Sequence, residues 1–261
     1  MRLRLATYNI HKGVTALRGR PRLHELRLAL HRLDADIVFL QEVQERNERL
    51  ARRSGPSRSS PLDVLSSSGY AHRAYGVNAI YPHGHHGNAI LSRLPIEHQA
   101  NHDVSDHMLE RRGVLHAIVR PAPGAPPLHL LCTHFGLARR SRERQAGWVA
   151  GFIEREIPAG APVILAGDFN DWQHAVDRRL RRVAGLREVF DEVEPGNWFE
   201  RFLAWRRPRG LARTFPSIAP WLSLDRIYLR GLRTQGAKVL GGAAWARCSD
   251  HSPLVADVEL G

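Results

Sequence analysis

Cysteine, lysine and methionine are scarce in this chain, and long apolar runs are missing altogether. Its two cysteines, Cys132 inside an apolar stretch and Cys248 near the C-terminus, do not make a disulfide framework, so a reducing interior suits the chain. No apolar run approaches the ~20 residues of a membrane helix. The opening Met1-Arg2-Leu3-Arg4-Leu5-Ala6-Thr7 alternates and carries charge where a secretory signal needs a continuous apolar segment. Together these absences predict a soluble, cytoplasmic protein. With Lys12 and Lys238 the only lysines, the formal charge of +12 rests on arginine, a bias that genome composition explains as readily as selection for phosphate contacts. Either way a basic surface attracts polyanions, nucleic acid or anionic lipid, because neutralised phosphates release their counterions.

What is present is ample apolar material. Hydrophobic residues make up 43% and charged residues 25% of the 261, with no composition break, which predicts one large α/β domain over residues 1–261. Leu3 to Tyr8 alternates as a half-buried strand, Leu23, Leu26, Leu30 and Leu33 recur at helical spacing, and Ile37 to Leu40 reads as a strand buried on both faces. Arg52 to Pro61 reads as a surface loop before a short helix. Strands are predicted near 71–75, 88–92, 97–104, 113–120 and 128–133, so antiparallel hairpins fill the middle. Ala146, Val149, Phe152, Ile153 and Ile157 mark a second amphipathic helix, and Pro162 to Ala166 a buried strand delivering Asp168 at its C-terminal end. A basic helix over 172–183, strands over 224–229 and 237–240, and a last strand with Leu254, Ala256, Val258 and Leu260 on one face complete the pattern.

Short motifs punctuate these elements: Thr7-Tyr8-Asn9-Ile10-His11, Leu40-Gln41-Glu42-Val43, Gly87-Asn88-Ala89-Ile90-Leu91-Ser92-Arg93, Thr133-His134-Phe135, Gly167-Asp168-Phe169-Asn170-Asp171, Leu224-Asp225-Arg226-Ile227-Tyr228 and Ser249-Asp250-His251. In this order, and over nearly the whole chain, they closely resemble the endonuclease/exonuclease/phosphatase family, the metal-dependent phosphoesterases related to DNase I, sphingomyelinase and inositol-polyphosphate phosphatases. The resemblance implies a DNase I-like α/β fold, a four-layer sandwich of two mixed, mostly antiparallel sheets packed face to face and flanked by helices. It also implies hydrolysis of a phosphodiester by activated water with Mg²⁺ (or Mn²⁺) held by Asn9 and Glu42, with Asp250 close enough to join.

The residue types suit that chemistry. A phosphoester resists attack because its oxygens are negative, so a site needs a cation, an oriented water and donors on the phosphoryl oxygens. Asn9 and Glu42 offer the oxygen ligands that Mg²⁺ prefers. His251 suits general acid-base work, and Asp225, delivered from another strand, can fix its tautomer. Asp168 and Asn170 stand two apart, which on an extended segment turns both toward one face, and the resemblance assigns them to the nucleophile and the phosphoryl oxygens. His134 either caps a strand end or serves a phosphate oxygen or the leaving group; its Thr-His-Phe-Gly-Leu context is similar to the family's histidine-bearing branch. The Tyr-x-Pro-Asn segment usual in abasic-site endonucleases is not found there, which weighs against abasic-site repair.

Further residues surround this set. Asn88 either supports His134 or the phosphate, or closes a turn. Arg139, Arg140, Arg142 and Arg144 follow His134 and either meet a polyanionic substrate or form a solvated helix face with Glu143. His83, His85 and His86, interrupted by glycine, read as a mobile loop at the mouth of the site rather than a metal tract. Between Pro195 and Leu224, Trp198, Phe199, Phe202, Trp205 and Trp221 interleave with arginine, which suits stacking on bases, a membrane interface, or a loop folded on itself. Substrate choice is expected there. A nuclease is the first expectation; a phospholipid-headgroup or inositol-phosphate phosphoesterase is the second, and a catalytically silent phosphate-binding scaffold the third. A monomer with no obligate protein partner is expected.

Overall fold

The computed structural model describes residues 1–14, 22–48, 59–108, 110–192 and 212–260. Trp198, Phe199, Phe202, Trp205 and residues 52–58 of the loop expected over 52–61 lie outside the described residues.

The apolar alternation of the first strand and the continuous run of the second fix the opening unit. β1 (Arg2–Asn9) and β2 (Ile37–Asn47) pair in parallel, joined by α1 (Leu23–Leu33), which buries Leu26, Ala29, Leu30 and Leu33 against them. The same unit recurs in β7 (Leu128–His134), α3 (Arg139–Glu156) and β8 (Val163–Asp168), again a parallel pair. Each parallel pair seeds one six-stranded sheet. Around β1 and β2 lie β3 (His72–Tyr81), β4 (Gly84–Ser92), β11 (Leu232–Val239) and β12 (Leu254–Leu260), in the order β11-β12-β1-β2-β4-β3. Around β7 and β8 lie β5 (Ile96–Asp103), β6 (Gly113–Val119), β9 (Arg187–Glu188) and β10 (Asp225–Arg230), in the order β5-β6-β7-β8-β10-β9. All other pairings are antiparallel.

The sheets face each other across a core that includes Leu5, Phe39, Ile90, Leu115, Leu130, Ile164, Ile227 and Ala256. Outside the first sheet, α1 and α2 (Pro61–Ser66) cover a second cluster around Tyr8, Val38 and Leu91. α3 and α4 (Ala175–Ala184) cover a third around Leu131, Leu165 and Tyr228 outside the other sheet. Helix, sheet, sheet, helix is the four-layer α/β sandwich expected. A last short helix, α5 (Ala243–Ala246), precedes β12.

Two expectations change. His85 and His86 stand in β4, not in a loop; Gly84 and Gly87 mark close backbone approach, since a Cβ on Gly87 would meet the Gly76 carbonyl at 1.8 Å. The strand read over 237–240 begins earlier, at Leu232, because this edge strand alternates polar side chains that carry little apolar signal.

Candidate active site

Parallel pairing sets both ends of a pair at one edge of its sheet. Asn9 ends β1 and Glu42 lies on β2 beyond the last residues paired to β1, while His134 and Asp168 end β7 and β8 at the same register. Asp225 opens β10 and pairs directly with Asp168, so His134, Asp168 and Asp225 form one transverse row across the second sheet. Asp250 and His251 immediately precede β12, whose Leu254 pairs with Thr7. The two sheets thus deliver their chemistry-bearing residues to one shared edge.

Contacts across that edge converge on Asp168. Its Oδ2 accepts a hydrogen bond from the Asn9 side-chain amide at 3.0 Å, and the Nε2 atoms of His134 and His251 stand 3.6 and 3.7 Å from the same oxygen. His251 Nδ1 meets Asp225 Oδ2 at 2.8 Å, so one imidazole links two carboxylates. Burial alone would lower the His251 imidazole, but the charges of Asp225 and Asp168, with the Asp225 hydrogen bond and Asp250, push it up to about 10. Burial most of all raises the Asp168 carboxyl; the His251 cation pulls it back and Asp225 pushes it up again. His134 is held well below its ordinary value, first by burial and then by Arg112, His251, His86 and Lys12.

The remaining members stand on the first sheet. A bulge between Leu40 and Val43 interrupts β2, and Glu42 there adopts φ 56°, which re-aims its half-buried side chain. Asp250 Oδ1 lies 3.3 Å from His11 Nδ1, and the His11 backbone N–H donates to Asn9 Oδ1. The Asp250 hydrogen bond raises the His11 imidazole against its burial, with further help from the Asp250 and Glu42 charges. Behind them, Phe215 packs its ring 4.9 Å from His251, the Ser217 N–H donates to the Asp250 carbonyl, and the Ser249 hydroxyl donates to the Asn9 carbonyl. The Thr214 to Ser217 segment is a brace for the Asp250–His251 turn.

Asp168, Asp225 and His251 place one ligand atom each within 4.8 Å of the others, all buried. With Asn9, Glu42 and Asp250 at the same edge, the donor set is mostly carboxylate and amide oxygen, which fits a hard divalent cation.

Several placements differ from the sequence reading. Asn170 is not on an extended segment: it has φ 49°, its N–H donates to Asp168 Oδ1, and its amide donates to the Phe135 carbonyl. Asn88 stands in β4 rather than closing a turn and has no hydrogen bond to His134 among the described residues; it donates to the carbonyls of Gly113 and Cys132, tying β4 to the opposite sheet. The arginines after His134 divide. Arg142 is buried, donating to the Leu137 carbonyl with its guanidinium 4.4 Å over the Trp172 ring, and Arg144 pairs with Asp106. Arg139 is exposed and pairs with Glu143, and Arg140 is exposed. Trp221 is 63% exposed on the turn that holds Phe215.

His11, Lys12, Arg112 and Phe215 were not singled out for the site from sequence, whereas His86, expected on a loop at its mouth, stands in β4 with its charge acting on His134. Only His11 left a local signal, two residues after Asn9, where an Asn side chain accepts from the chain two positions on. Lys12 follows His11 in the same turn, and Arg112 and Phe215 arrive from separate elements.

Known proteins share this fold. The solved endonuclease/exonuclease/phosphatase of Bacteroides vulgatus superposes with a TM-score of 0.75 at 17% identity, covering 100% of both chains. D. rerio TDP2 complexed with single strand DNA product superposes with a TM-score of 0.68 at 18% identity, covering 99% of each. The uncharacterized protein YbhP of Escherichia coli K12 is 41% identical over 259 residues, 98% of this chain and 96% of that one. The sequence pattern of the Endonuclease/Exonuclease/phosphatase family matches residues 6–251, a span that holds all the groups gathered at this edge, and the chain belongs to that family.

Proposed function

We propose that this protein is a divalent-metal-dependent phosphoesterase that hydrolyses a phosphodiester with water, and that nucleic acid is its substrate. The observation that carries the chemistry is the convergence of Asn9, His134 and His251 on one oxygen of Asp168. The two imidazoles stand just beyond direct hydrogen-bond reach of that oxygen, a spacing suited to groups that share a reactant rather than each other. Asn9, Glu42 and Asp250 would hold Mg²⁺ or Mn²⁺, which supplies positive charge to the phosphoryl oxygens when bound.

Asp168 takes the proton of the attacking water, whose oxygen bonds to phosphorus as the bond to the leaving oxygen breaks. His251, oriented by Asp225, gives its proton to that leaving oxygen, and His134, held neutral by burial, donates its N–H to a phosphoryl oxygen. One product keeps the phosphate and the other gains a hydroxyl. Asn170 and Asn88 shape this edge through backbone carbonyls, and exposed Arg139, Arg140 and Trp221 meet the substrate beyond it. Support for nucleic acid comes from the net charge of +12 and the likeness to a TDP2 bound to DNA.

Nicking of supercoiled plasmid by the purified protein, beside His251→Ala prepared identically, tests this reading. Metal-dependent nicking that chelator and the mutation both abolish is expected. A second reading, a phospholipid-headgroup phosphoesterase, is favoured by Ile218 and Trp221, 86% and 63% exposed beside Phe215. A folded, metal-binding protein that leaves plasmid intact would shift the assignment there.

A further inference from the structure

On the flank of the first sheet, α1 and α5 border a cavity of about 180 Å³ that none of the residues of the catalytic edge lines. Three arginines line it: Arg22 at the start of α1, Arg32 in the last turn of α1, and Arg247 at the end of α5. On the same sheet Arg4 pairs with Asp257, Arg73 with Asp63 and Arg93 with Asp34. Arg22, Arg32 and Arg247 have no ion pair among the described residues, and Glu25 is the one carboxylate in the cavity wall. Three cations against one anion leave an excess of positive charge in a concave place.

The apolar part of the wall is also unusual. Leu28 is 43% exposed, on the face of α1 turned away from its buried Leu26 and Leu30, and Trp245 completes the cavity. Trp245 meets the Tyr8 ring edge-on at 6.2 Å, and the buried Tyr8 hydroxyl has no hydrogen-bond partner among the described residues. The wall is therefore continuous with β1, one residue from Asn9.

We infer that this cavity is a second, non-catalytic anion site that takes a small phosphate-bearing molecule with a short apolar arm. The planar guanidinium fork matches phosphate oxygens two at a time, and Trp245 and Leu28 cover the arm. The volume falls below the ~300 Å³ at which drug-sized ligands begin, so the cavity holds a phosphate and a short arm.

The test is calorimetric titration of the full chain, without divalent metal, with phenylphosphonate, whose phosphorus–carbon bond resists hydrolysis. Wild type and His251→Ala should bind alike, while Arg32→Ala/Arg247→Ala should bind at least about tenfold more weakly. Leu28→Glu, on the exposed face of α1, provides a second variant that repels the anion without removing an arginine, and it too should weaken binding. Equal affinity in wild type and in whichever of these variants is folded, loss of binding in His251→Ala, or no heat at millimolar ligand overturns the inference.

Discussion

His251 and Asp225 come from opposite sheets and meet at 2.8 Å through an imidazole nitrogen and a carboxylate oxygen, both side chains almost wholly buried. The Asp225 backbone N–H is itself held by the Thr214 hydroxyl, so the pair is fixed at both ends. Asp225→Asn should keep the fold and lower turnover by roughly 10²–10⁴, the range for loss of an oriented acid-base group. Steady-state kinetics beside circular dichroism would show it; an unchanged kcat would remove Asp225 from the mechanism.

Asp168 is costly to the fold on its own. Burial and the neighbouring Asp225 disfavour its ionised form even with His251 beside it. Asp168→Asn, equal in size, should therefore raise the thermal midpoint of the metal-free protein while abolishing hydrolysis, a trade of activity for stability. A lower midpoint in the variant would mean that its bond from Asn9 outweighs the charge.

Metal should stabilise as well as activate. Mn²⁺ at about 100 times its dissociation constant should add about 2.7 kcal/mol to unfolding free energy. Glu42→Gln should raise the Mn²⁺ concentration needed for that thermal shift and for turnover alike. Identical metal titrations in the two proteins would place the ion elsewhere.

Acid should loosen the second sheet at a specific place. His116 and His129 stack with Nε2 and Nδ1 3.0 Å apart, and His102 packs against Trp148 and Phe152. Burial, then the charges of His129, His102 and His98, push His116 down to about 4; burial also lowers His129 and His102. These folded-state values are depressed, so the unfolded chain takes up protons first. Their contribution to stability is complete above about pH 6.5 and is lost as pH falls toward about 4. Urea unfolding at pH 7 and pH 5 should show a marked fall that His116→Phe makes shallower; parallel slopes in the two proteins would contradict it.

Asp171 carries more than its sequence position suggests. Its carboxylate accepts from the N–H groups of Ala175, Val176 and Asp177 at the start of α4, and one of its oxygens lies 3.2 Å from the wholly buried Arg226. Asp171→Ala should cost about 3–5 kcal/mol, because it strands a buried charge and uncaps a helix. Chemical denaturation measures this, and a loss below about 1 kcal/mol would show that the helix and Arg226 find other partners.

The long-range frame of this molecule was legible where residues alternate or run apolar. The two parallel units, the central hairpins and Asp168 at the end of its strand all follow from such stretches. Asn170 was misjudged because a hydrogen bond to Asp168 bends the chain out of the extended form, and no hydrophobic pattern reports that bend. Arg142 read as a surface charge because guanidinium burial depends on Trp172 and two carbonyls brought close only by the fold. Arg112 reaches the surroundings of His134 from a distant segment, and a linear sequence carries no sign of that meeting.

Glu42 holds its place in a left-handed backbone conformation that side chains other than glycine adopt reluctantly, at a cost on the order of 1 kcal/mol. Glycine there would ease the chain and remove the carboxylate. The two demands on this position pull in opposite directions, so a library selected only for heat resistance should drift to glycine at 42, and one selected for hydrolysis should return to glutamate.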